Sequence, residues 1–218
     1  MAQADIFSPT HIEFVTFTAA EASRITDVQP ATQRNWRRRG FLSKQNGWAR
    51  FNAADLAELV FRKSMGDLGM PHVEATEEML EICLQAQAWA TTLPGAIEFE
   101  PGTESLPSPI DGPRYRFLLA CPPWREGEPE FRRARDEVEL LAAMNGGLSV
   151  GLSIIDLKAI ASSVVEGVSG PLFVVRLGPD ESEIWGALNR VQDGDVEAQE
   201  ALEAIGIDWR GKFEAVKR

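Results

Sequence analysis

The chain has 218 residues, 44% of them hydrophobic and 25% charged, with a net charge of -11. That length can bury one substantial core or two small ones, and no apolar run approaches the ~18 residues that would span a bilayer. Met1–Thr10 lacks the basic start and apolar core of a signal peptide, and the two cysteines, Cys83 and Cys121, are expected to be reduced thiols of a cytoplasmic protein.

Charge is unevenly split. Residues 1–71 hold nine Lys/Arg against seven Asp/Glu, and residues 72–218 hold thirteen against twenty-six. Residues 1–16 have no clear period and read as an arm, although His11–Phe17 could add a short strand. Thr18-Ala19-Ala20-Glu21 is a capping box and opens a helix to about Ile25, with Ala22 and Ile25 facing inward. Thr26-Asp27-Val28 makes the turn into a second helix over residues 30–39. Pro30 suits its first position and Gly40 the left-handed stop just past its end. Two short helices joined by a tight turn form a helix-turn-helix.

Residues 30–51 carry Arg34, Arg37, Arg38, Arg39, Lys44 and Arg50 and no acidic residue. A basic island in an acidic chain points to an anionic partner. At 100° per residue Gln33, Trp36 and Arg37 share one face of the helix, while Asn35 and Arg38 look the other way, flanked by Arg34 and Arg39. Asn and Arg are the side chains that read adenine and guanine edges in the major groove. Phe41–Gln45 and Trp48–Phe51 flank Asn46-Gly47, a strong hairpin signal, and the basic hairpin resembles the wing of a winged helix-turn-helix.

Asn52-Ala53-Ala54-Asp55 starts another helix to about Asp67, with Leu56, Leu59, Val60 and Lys63 on one face. Gly69-Met70-Pro71 stops it. Residues 72–90 are helical again, with Met79, Leu80, Cys83, Leu84 and Ala88 as the apolar side. Over residues 17–90 this order is similar to the DNA-binding domain of the MerR family. The matching residues are Thr18-Ala19-Ala20-Glu21-Ala22, Thr32-x-Arg34-x-Trp36-x-x-x-Gly40-Phe41-Leu42, Arg50-Phe51, Asp55-Leu56 and Leu68-Gly69-Met70. Gln33, Asn35 and Arg37 depart from the family's usual residues there, and make the helix more polar and basic. The resemblance implies a dimer, but Leu93-Pro94-Gly95 ends the helix where the family usually continues into a long dimerising one.

Residues 94–113 contain five prolines and three glycines and read as a linker. Domains of residues 1–93 and 114–218 are therefore expected on either side. Beyond it, Tyr115–Ala120, Leu148–Ile155 and Pro171–Leu177 read as strands. Phe131–Met144, Leu157–Val165 (capped by Asp156), Glu181–Arg190 and Val196–Ala204 read as helices. The fold expected is α+β or α/β: an N-terminal winged helix-turn-helix, then a small acidic α/β domain for sensing or dimerisation.

No Cys/His cluster suggests a metal, no nucleophile elbow suggests hydrolysis, and Gly146-Gly147 and Gly167-x-x-Gly170 are not phosphate-binding loops. The chain is read as a non-enzyme without cofactor. Trp124, Trp185 and Trp209 could line a ligand pocket, but core aromatics is the preferred reading, and core packing is likewise expected of Cys83. The expected function is a sequence-specific DNA-binding regulator acting on double-stranded DNA as a homodimer. The alternative is an architectural, DNA-packaging or recombination-accessory protein. Asn35 and Arg38 would read bases, and Arg34 and Arg39 bases or phosphates. Lys44 and Arg50 would hold the backbone from the wing, and Thr18 would offer a backbone N–H to phosphate. Thr32, Arg37 and Trp48 complete the surface. A small-molecule effector of unknown identity would act on residues 114–218.

Overall fold

The computed structural model describes residues 10–42, 49–70, 76–103, 112–121, 130–145 and 152–204. In chain order the elements are β1 (Thr10–Phe14), β2 (Phe17–Thr18), α1 (Ala19–Thr26), α2 (Pro30–Arg38), β3 (Arg50–Phe51), α3 (Ala53–Asp67), α4 (Glu77–Ala90), β4 (Ile97–Phe99), β5 (Phe117–Cys121), β6 (Glu130–Ala134), α5 (Glu137–Asn145), β7 (Ser153–Asp156), α6 (Leu157–Gly167), β8 (Phe173–Leu177), α7 (Glu181–Gln192) and α8 (Val196–Ala204). The protein is a mixed α/β structure whose described strands form small sheets, in the orders β1-β8-β4, β2-β3 and β6-β5-β7.

Local chemistry fixes the helix starts. Thr18 and Glu21 form the expected capping box at α1, and Asn52 and Asp55 form a second one at α3. Asp156 caps α6 by accepting the N–H groups of Lys158 and Ala159. Each such cap satisfies donors that the first helical turn leaves orphaned. The expected start of α4 at residue 72 lies outside the described residues. The helix described there begins at Glu77, with the Thr76 hydroxyl accepting the Met79 N–H.

The chain divides into two compact units. The larger holds Phe14–Glu98 and Ile110–Val174; the smaller holds Met1–Glu13, Phe99–Pro109 and Val175–Arg218. This is not the division at residues 94–113 that the prolines and glycines suggest. In the larger unit α6 packs on α1, α3 and α4. One core there joins Ala57, Phe61 and Met65 of α3 and Met79, Ile82 and Ala86 of α4 to Tyr115, Leu118, Ala120, Ile155, Leu157 and Ile160. Pro94 and Gly95 make a turn leading into β4, with Gly95 at φ +80°.

The β6-β5-β7 sheet is antiparallel at both pairings, so strand–helix alternation here does not produce parallel crossover units. Residues 131–134, expected to be helical, are strand. Their alternation explains it: Phe131 packs on the core of α3 and α4, while Ala134 joins Phe117 and Leu119 on the opposite face. Period-two burial against β5 wins over helix propensity. Three further expectations need correcting. Leu80 and Leu84 on α4 are 57% and 46% exposed; Ile82 and Ala86 take the buried face instead. Trp185 is 52% exposed and is no core aromatic; Trp124 and Trp209 lie outside the described residues. Residues 10–14, read mainly as arm, form β1. Cys83 is 3% exposed, and burial pushes its thiol well above the usual range, as befits a core side chain.

In the smaller unit α7 and α8 pack through Ala187, Leu188, Val191, Ala198 and Leu202. Asp180 and Glu183 cap α7 reciprocally, and Arg176 bridges Glu13 and Glu100.

Gly167 ends α6 against α1. A Cβ built there would sit 2.8 Å from the Ile25 carbonyl oxygen and 2.9 Å from its Cγ2. Gly167→Val is therefore expected to destabilise the protein by about 1–3 kcal/mol, seen as a lower urea midpoint at unchanged slope. An unchanged midpoint would mean that α6 does not press on α1.

Candidate nucleic-acid interface

The sequence places α2 by both of its ends. Pro30 occupies the first turn, and Gln29 precedes it. At the other end the Phe41 N–H reaches the Trp36 carbonyl (2.9 Å) and the Gly40 N–H reaches Arg37 (3.1 Å), with Gly40 at φ +79°. Those paired bonds close a helix on a left-handed residue that Gly adopts without strain.

The turn between α1 and α2 is tied just as closely. The Thr26 hydroxyl donates to the Ala22 carbonyl (2.7 Å). Asp27 takes φ 56° and its carboxylate accepts from Lys63 of α3 (2.7 Å). That hydrogen bond, and then the lysine's charge, holds the Asp27 carboxyl below the usual range. Gln33 is 1% exposed, and its Nε2 donates to the carbonyls of both Ala19 (3.2 Å) and Val28 (2.8 Å). It clamps the start of α1 and the turn to α2. Sequence reading noticed Gln33 only as a departure from the MerR pattern; its polarity at an inward position was the available signal.

With Gln33 and Trp36 buried, the helix shows its other side outward. Arg34, Asn35, Arg38 and Arg39 are exposed, and Ala31, Arg34, Asn35 and Arg38 line a shallow open depression. Arg38 Nη2 donates to Asn35 Oδ1 at 3.2 Å. Arg39 lies over the Phe41 ring, 4.9 Å from its centroid. Thr32 is half-buried and borders a second groove with Asp27, Trp36, Arg62 and Lys63.

Arg37 does not join the exposed set. It is half-buried, with its guanidinium 4.7 Å from the centroid of the Phe51 ring. Burial pushes its pKa down, opposed by the carboxylates of Asp55 and Glu58. Trp36 and Phe51 are 8% and 1% exposed, which makes them structural as expected.

Thr18 does not offer its N–H outward. Its backbone N–H donates to Glu21 Oε2 (2.7 Å), its hydroxyl donates to the same oxygen (2.8 Å), and the Glu21 N–H donates back to Thr18 Oγ1 (3.3 Å). Those bonds lower the Glu21 pKa, with Arg50 and Arg24 adding smaller electrostatic pulls. A carboxylate thus holds the helix start where a phosphate was expected. The same geometry brings Arg24, exposed in the last turn of α1, near Arg50; sequence reading had passed over it. Arg50 is exposed on β3, opposite Thr18 in the β2–β3 pair. Phe41 and Leu42 are bends rather than strand, and Lys44, Asn46, Gly47 and Trp48 lie outside the described residues.

Among the described residues no cluster of three His, Cys, Asp or Glu side chains could hold a metal ion, and no helix is long and apolar enough to cross a membrane. No protein-family model matches the chain, and no curated protein matches it either.

Proposed function

We propose that this protein is a sequence-specific DNA-binding transcriptional regulator of the cytoplasm, with α1 and α2 as the helix-turn-helix of a winged domain. One observation carries the reading. The outward face of α2 presents Arg34, Asn35, Arg38 and Arg39 together, free of carboxylates along the helix, in a chain whose net charge is -11. Acidic protein is repelled by phosphate, so a cationic helix face is where a duplex would be tolerated. Arg34 and Arg38 lie on the face that would enter the major groove; Arg39, Arg50 and Arg24 flank it as phosphate contacts. One such domain covers a half-site, so the protein acts as a homodimer on paired half-sites.

Selection of bound duplexes from a random pool tests this. A sharp motif is expected. A flat outcome, with binding tied to bending, would favour the architectural reading instead. On a selected duplex, Arg38→Ala should cost about 1–3 kcal/mol and relax one position, whereas Arg50→Ala should weaken all sequences alike. Unchanged binding by both variants would refute the proposal, and sedimentation showing a monomer on paired half-sites would refute the dimer.

A further inference from the structure

Resting on that DNA-binding reading, we infer that Arg38 is a guanine reader and that Asn35 serves as its positioning residue rather than as an independent adenine reader. Residues three apart on a helix face one another, and here Arg38 Nη2 donates to Asn35 Oδ1 at 3.2 Å. An Asn that reads adenine uses the amide as a unit, the oxygen accepting from N6–H and the nitrogen donating to N7. In this protein the amide oxygen already faces the guanidinium one turn on. The arrangement orients the arginine fork, which keeps further N–H donors for the O6 and N7 acceptors of a guanine edge.

The neighbouring arginines favour Arg38 for this task. Arg37 is stacked over Phe51 and Arg39 over Phe41. Arg34 shares the depression with Arg38 but makes no hydrogen bond or ring contact among the described residues. Ala31, on the same depression, has a side chain small enough to leave room for a base edge. Only Arg38 is both outward and held by a side chain of its own helix.

The test uses the full chain and a duplex obtained by selection. Affinities are measured for that duplex and for each single-base change in it, with wild type, Arg38→Ala, Asn35→Ala and Asn35→Asp. These side chains are exposed, so circular dichroism should show all variants folded. Arg38→Ala is expected to lower the preference for guanine at one position by roughly 5- to 150-fold, the worth of one bidentate pair. Asn35→Ala should erode the preference at that same position and at no other. Asn35→Asp keeps the acceptor for Arg38 and loses the amide donor. It should keep the guanine preference while weakening all duplexes evenly through its added charge.

If Asn35→Ala and Asn35→Asp both lose an adenine preference at a neighbouring position, with guanine selection intact, the positioning role is wrong and the DNA-binding reading stands. If Arg38→Ala leaves guanine selection intact, the assignment of the reader is wrong. Wild type that selects no sequence would overturn both the inference and the reading beneath it.

Discussion

A fragment of residues 1–93, cut where the prolines and glycines begin, is expected to show no cooperative unfolding transition. A fragment of residues 14–174 is expected to keep one. The reason lies in the shared core. Phe61 and Met65 of α3 and Met79 and Ile82 of α4 are buried against Tyr115, Leu118, Ile155, Leu157 and Ile160. Cutting at residue 93 returns the first group to water. Exposing a large apolar side chain costs about 1.5–3 kcal/mol, so losing several together rivals the roughly 5–15 kcal/mol that holds a whole domain. Polar contacts go as well: Trp89 Nε1 donates to the Tyr115 carbonyl (2.9 Å) and Gln85 accepts the Arg114 N–H (2.6 Å). Urea titration followed by circular dichroism reads the result. A sharp transition in the short fragment, at a midpoint near that of the full chain, would show that the helices fold without residues 110–174.

That expectation runs against the domain boundary the sequence suggests, and the reason is instructive. Proline and glycine mark places where the backbone turns, and a turn inside a unit looks like a linker between two. Nothing local in Pro94–Pro113 tells which side of a core the chain will return to. By contrast, helix starts were legible because each is a short-range contract: Thr18 with Glu21, Asn52 with Asp55, and Asp156 with the two N–H groups that follow it. Strand β6 was not legible, since Phe131–Ala134 suits either state until β5 supplies a partner.

The candidate site was legible in its outward half. Helical periodicity alone separates Asn35 and Arg38 from Gln33 and Trp36, and burial follows that division. The inward half was not. Periodicity put Arg37 beside Trp36 but could not reveal the Phe51 ring across from it. Composition counted Thr18 as a donor, although the capping box already spends that N–H on Glu21. Arg24 was missed because a single arginine on α1 carries no pattern.

Arg62→Leu is expected to destabilise the protein by about 3–5 kcal/mol, the cost of breaking a buried ion pair by removing one partner. The Arg62 side chain is 0% exposed and that of Glu58 is 13% exposed. Nε and Nη2 of Arg62 both donate to Glu58 Oε1, at 2.9 and 2.7 Å. Without them the carboxylate stays buried and loses both hydrogen bonds. Burial already pushes the Glu58 pKa up, against the pull of Arg62. Removing Arg62 removes that pull, so the pKa rises further. A carboxyl whose folded pKa is raised favours folding below its unfolded pKa and loses that contribution as pH climbs through the folded value. The deficit of Arg62→Leu relative to wild type should therefore be smaller at about pH 5 than at about pH 8. Adding Glu58→Leu should recover stability at the higher pH, since an apolar pair of similar volume often matches a buried ion pair. Urea midpoints at the two pH values decide the matter: a deficit that does not grow with pH, or a double variant no more stable than Arg62→Leu, would mean that the charge of Glu58 is not what Arg62 compensates.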